Sequence, residues 1–314
     1  MILKSIWKGS DPMKKKKRYE ERTGYFKLYF NPFFRESYNR IYDVLLDTHD
    51  RTYDAIYKEV KRYPDKAFER CLKEAEEVIL SSYSFNPEYD DMDDYYEKVQ
   101  DYAVDRMQEQ SLMHYQFVLM SLSNLYQVFE QQLRRWLHEE MTHQHNEYLN
   151  QIEFTSKHEE EAYGKFVNNF GVLGNLLKEM NLTFTMPSSS ESEIRDWFGH
   201  REDSVLEVPI VETEIWATIR ECNLISNTFK HGSGTSAKAL HEIRPEYFEK
   251  VSTTKLMNLY RTTNMEEVLS VDKISFEKYA TAMKTFWEKL KEHQNGSIDL
   301  KIDTSLEGEA QAKK

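Results

Sequence analysis

Cysteine is nearly absent from this chain: Cys71 and Cys222 are the only two in 314 residues. Both sit inside apolar patterns of helical period, so they read as buried thiols in a reducing compartment rather than as a disulfide framework. Glycine and proline are also scarce, at 10 and 7 residues, which leaves few positions for sharp turns and points to helices. Long apolar runs are missing. No window approaches 18 consecutive apolar residues, which excludes a membrane-spanning helix, and 1–12 is too short and too interrupted for the apolar region of a signal peptide. An overall excess of positive charge is missing too. At a net charge of −12 the chain repels nucleic acid as a whole, so any RNA contact needs a local basic patch. These absences lead to the expectation of a soluble, cytoplasmic protein with no membrane partner. The sequence also has no internal repeat and no strand–helix alternation that would build a parallel sheet.

What remains is helical periodicity. The expected fold is all-α: a multi-helix bundle of long antiparallel helices with short irregular or extended connections. With 20 Tyr and 17 Phe the core should be largely aromatic, with tyrosine hydroxyls seeking partners at its edges. Residues 1–33 read as a basic and aromatic N-terminal arm, 34–294 as the helical domain with a sub-boundary near 150–158, and 295–314 as a flexible polar tail. Lys14, Lys15, Lys16, Lys17 and Arg18 form a basic block, read either as a solvated arm or as one that contacts phosphates. The aromatic segment 24–34 is expected to pack across a helical surface, with Pro32 preventing a regular helix there.

Helices are expected over 35–63, stopped by Pro64, and over 65–80 with Asp65 as cap. The acidic stretch of 81–94 lacks the glycine and terminal glutamate of a calcium loop. Periodicity then hardly stops from 95 to about 150, in one very long helix or in two broken near 112–123. His138, Glu139 and His143 miss the HExxH zinc spacing by one residue, which turns the second imidazole about 100° away. Glu140 and His143 make a single Glu-x-x-His where a di-iron site needs two. With His145 these residues read as a solvated helix end, and neither metal nor cofactor is expected. A further helix is read over 158–181, a loop over 183–190, a capped short helix to Trp197, a brief extended segment over 206–211, and a closing amphipathic helix over 275–293.

The most specific stretch is 212–236, ETEIWATIRECNLISNTFKHGSGTS. On a helix, Arg220, Asn223, Asn227 and His231 fall within about 80° of one another, opposite the apolar Ile215, Ile219, Cys222, Ile225 and Phe229. Solvated faces usually carry Glu, Lys and Gln, because Asn competes with its own backbone for hydrogen bonds. A stripe of two asparagines and a histidine is therefore unusual. Gly232 and Gly234 end the helix and put His231 in its last turn, where unpaired carbonyls and the helix dipole favour an imidazolium. Two readings stay open: a seam in which these groups satisfy one another, or a site that faces a groove or a twofold partner.

NLISNTFKHGSG is similar to the asparagine box of the histidine-kinase ATPase fold, but the Asp-x-Gly-x-Gly turn and glycine-rich lid that would cradle a nucleotide are missing. The same stretch resembles the catalytic helix of HEPN-type helical domains, found in bacterial toxins, abortive-infection proteins and CRISPR-associated ribonucleases. Asn227 and His231 match the polar and histidine positions of that motif. Ser226 stands where its arginine belongs, and Arg220 lies on the same face about two turns earlier. The resemblance implies metal-independent RNA cleavage, with His231 as general acid or base, Arg220 or Lys230 stabilising charge and Asn227 positioning the phosphate. Asn223 would support them, and two helices would pair across a dimer twofold. The competing expectation, which the missing arginine favours, is a non-catalytic helical interaction or sensor protein. It would belong to a bacterial defence or toxin–antitoxin system and bind a protein partner or a second copy.

Overall fold

The computed structural model describes residues 19–82, 91–143, 177–178, 180–187, 205–232, 234–248 and 269–303. The fold is mostly helical, as the periodicity predicts. Seven helices occur among the described residues: α1 (Pro32–Ile56), α2 (Lys58–Arg62), α3 (Pro64–Ser82), α4 (Met92–His143), α5 (Glu214–His231), α6 (Thr235–Ile243) and α7 (Phe276–Lys289). Two antiparallel pairs of strands accompany them: β1 (Tyr19–Tyr29) with β4 (His293–Asp303), and β2 (Thr183–Pro187) with β3 (Val205–Pro209). The chain is organised as two compact units.

The larger unit comprises Phe30–Arg135 and Thr183–Glu292. Its core is aromatic. The Trp287 ring of α7 stacks on Phe30 and Tyr38 at 5.4 and 4.5 Å, and Phe286 meets Phe129 and Phe184 edge-on at 5.0 and 5.2 Å. Trp287, Phe286, Phe129, Phe184 and Phe30 are all fully buried, and each contributes roughly 2–3 kcal/mol through the surface it removes from water. Tyr42 is one of the buried tyrosines, and its hydroxyl finds partners. It donates to Oε1 of Gln132 and accepts from the Trp287 indole at 3.3 Å. A second, smaller core joins α3 to the first half of α4 through Cys71, Ala75, Val99 and Ala103. Small side chains there let two antiparallel helices approach closely.

The smaller unit comprises Met1–Tyr29, Trp136–Leu182 and His293–Lys314. In it β1 and β4 pair from Tyr19↔Asp303 to Tyr29↔His293. The Tyr29 N–H donates to Glu140 at 2.8 Å, its carbonyl accepts from the Trp136 indole at 3.3 Å, and its ring stacks on His293 at 4.8 Å. Gly296 allows a close approach here: a Cβ at that position would lie 3.1 Å from the side chain and carbonyl of Met180, which would have to shift by a few tenths of an ångström.

Several expectations need correction. Pro32 does not prevent a helix but starts one, because the first helical position needs no N–H; Asn31 caps it by accepting from the Phe33 N–H at 3.0 Å. Pro64 follows the end of α2, as expected, but also opens α3, so Asp65 lies inside that helix and does not cap it. The segments read as an aromatic arm and a loose tail contain β1 and most of β4, and the segment read as a loop from 183 contains β2. Of the two readings of the long helix, the single one holds: it is unbroken over 52 residues, with no interruption at 112–123. The basic block 14–18, His145, most of 158–181 and Trp197 lie outside the described residues, as do the side chains of His138 and His143. No helix among the described residues is long and apolar enough to cross a membrane.

Candidate functional site

Helix α5 forms where its sequence predicts. The Thr213 hydroxyl caps it by accepting from the Trp216 N–H at 3.2 Å, and Gly232 ends it at φ 64°, a left-handed value that favours glycine, with its N–H on the Thr228 carbonyl at 2.8 Å. Trp216, Ile219, Cys222 and Ile225 are buried. Burial pushes the Cys222 thiol far above its ordinary range, so it stays protonated and inert.

The polar stripe divides along its length. Asn223 is buried, Asn227 is half-buried, and the Asn227 amide donates to the Asn223 carbonyl oxygen at 3.2 Å. The Tyr126 hydroxyl of α4 is buried near Asn223 and near Glu130, one turn further along α4. Burial raises the Glu130 carboxyl above its ordinary value, against the pull of its ion pair with Arg134 and of Lys230 nearby. Asn223, Asn227, Tyr126, Glu130 and Arg134 thus form a polar seam between α4 and α5. Arg220, Lys230 and His231 are exposed.

The spacing along the axis decides what the stripe can do. Arg220 and His231 are eleven residues apart, about 16 Å along a helix, and Arg220 and Asn227 are about 10 Å apart. Shared azimuth therefore does not bring these groups around one phosphate. Ser226, at the motif arginine's place, is fully buried and donates to the Ser123 hydroxyl at 3.0 Å.

Sequence reasoning missed Glu221. Its side chain is 4% exposed and accepts four hydrogen bonds. Tyr279 donates at 2.6 Å, Lys278 at 2.7 Å and Tyr247 at 2.9 Å to Oε1, while Arg244 Nε donates at 3.0 Å to Oε2. Burial raises its pKa, but the bonds from Lys278, Tyr279 and Tyr247 together outweigh burial and hold the carboxyl below its ordinary value. The missed signal was its register: Glu221 is four residues before the buried Ile225, on a line of the helix that faces inward.

Among the described residues no group of three or more His, Cys, Asp or Glu side chains could hold a metal ion. Comparison with protein-family models, with curated proteins and with solved structures finds no match to this chain.

Proposed function

We propose that the protein is a non-catalytic helical interaction or sensor protein. The observation that carries this reading is Ser226, buried against Ser123 at the position where an HEPN ribonuclease would present its arginine. Arg220 is too far along α5 to replace that arginine, and the Asn227 amide is engaged on Asn223 of the same helix. The HEPN resemblance of α5 supports a role in a bacterial defence or toxin–antitoxin system, exercised through a protein partner or a second copy.

The ribonuclease reading retains one observation: His231 is exposed beside the exposed Lys230 at the end of α5, where a general acid or base could reach RNA. One experiment separates the two readings. A labelled RNA pool is incubated in EDTA with wild type and with His231→Ala, both checked by circular dichroism. The interaction reading expects intact RNA from both. Cleavage by wild type alone, leaving 2′,3′-cyclic ends, would establish the ribonuclease instead.

A further inference from the structure

One cation would neutralise Glu221, and the structure supplies two. Arg244 spends Nε on one carboxylate oxygen and Lys278 spends one ammonium hydrogen on the other, while the Tyr247 and Tyr279 hydroxyls complete the shell. Two cationic heads are thereby held side by side on one buried anchor. They are not themselves buried: the Arg244 side chain is 40% exposed and that of Lys278 is 34% exposed. Among the described residues, neither terminal nitrogen of Arg244 has a hydrogen-bond partner, and Lys278 keeps two ammonium hydrogens beyond the one it gives Glu221.

We propose that Arg244 and Lys278 form a surface site for a small phosphate ligand, orthophosphate or a phosphomonoester, preorganised by Glu221. A guanidinium fork matches two phosphate oxygens in one plane, and the adjacent ammonium supplies a second positive charge for the dianion. Fixing both side chains on Glu221 before binding removes part of the ordering cost that flexible surface cations carry. The site lies about 200° around α5 from Asn223, so it does not depend on what the asparagine seam does. Glu221 offsets one of the two positive charges, and Glu246 adds a further opposing charge that acts on Arg244 from two residues away.

The test titrates orthophosphate, and separately ribose 5-phosphate, against chloride at matched ionic strength, reading the Arg244 Nε–H resonance of the wild-type protein. Arg244→Lys identifies that resonance by its loss. A saturable shift with either phosphate is expected, with affinity roughly tenfold weaker in Lys278→Gln, the size of one charge-assisted hydrogen bond. Glu246→Gln, which removes the opposing carboxylate, should bind more tightly. Equal affinities for the two ligands mean that the phosphate group alone is recognised, and tighter ribose 5-phosphate binding identifies a phosphomonoester; both support the site. A resonance that responds to phosphate no more than to chloride overturns the proposal without any variant. Unchanged affinity in a folded Lys278→Gln overturns it as well.

Discussion

The hydroxyl of Ser226 on α5 donates to that of Ser123 on α4 at 3.0 Å, with both residues buried. Two short side chains meeting there let the helices come close, and the same closeness excludes a long cation. Ser226→Arg would put a guanidinium into a position of no exposure, without a carboxylate on Ser123 to pair with it. We expect a loss of about 3–5 kcal/mol in urea-induced unfolding, or failure to fold, from an unpaired buried charge. A well-folded Ser226→Arg protein with gained ribonuclease activity would show that α5 can adopt the catalytic arrangement after all.

Asn223 and His231 lie on one stripe but should behave oppositely. Asn223→Ala removes the buried acceptor of the Asn227 amide, and should cost about 1–3 kcal/mol. His231 is exposed in the last turn, so His231→Ala should stay within about 0.5 kcal/mol of wild type. Chemical denaturation of the two variants side by side decides the matter, and equal losses would mean the seam has been misidentified.

Glu221→Gln keeps the shape of the side chain but removes its charge, leaving Arg244 and Lys278 without their counter-ion. Both cations are more than one-third exposed, so water compensates part of the loss, and about 2 kcal/mol is expected rather than the full cost of a broken buried pair. The pH dependence has a definite sign. The folded carboxyl lies below its ordinary value of 4.5, so its contribution is complete above about that pH and disappears as pH falls through the lower folded value. Acid unfolding curves should therefore be shallower below pH 4.5 in Glu221→Gln than in wild type. Parallel curves would sink the assignment.

The helices were legible where a local signal fixed them. α5 carried its cap, its apolar period and its terminal glycine within 20 residues, and its bounds follow directly. The extended segment read over 206–211 matches β3, but β1 and β4 were not legible, because they pair residues from opposite ends of the chain and no hairpin turn announces the partnership. Ile298, Leu300 and Ile302 alternate with polar residues, a strand pattern masked by the polar stretch around Asn295. Pro32 misled because proline has opposite meanings at the first position and in the interior of a helix, and only the Asn31 cap distinguishes them. In the site, period placed the stripe correctly on one face but carried no information about distance along the axis. Glu221 was overlooked because its partners Arg244, Tyr247, Lys278 and Tyr279 come from two later segments, and a single acidic residue in a helix ordinarily faces water.

His114 offers a last test, in a part of the larger unit remote from α5 in sequence. Its ring lies 5.7 Å from that of Tyr53 and 5.2 Å from that of Tyr57. Burial lowers its pKa below the ordinary 6.5, Lys61 and His49 add to the effect, and Asp272 opposes it from an ion pair with Lys61. A histidine that resists protonation in the folded state binds fewer protons there than in the unfolded chain, so stability falls as pH drops below 6.5 and is unaffected by this group above it. His114→Phe keeps an aromatic ring beside both tyrosines and removes the titration. The urea midpoint of wild type should drop between about pH 7 and about pH 5, and the drop should be smaller in His114→Phe, because one of the groups that favours the unfolded state in acid is gone. Identical drops in the two proteins would show that His114 is protonated as readily folded as unfolded, and that the aromatic packing around it does not exclude charge.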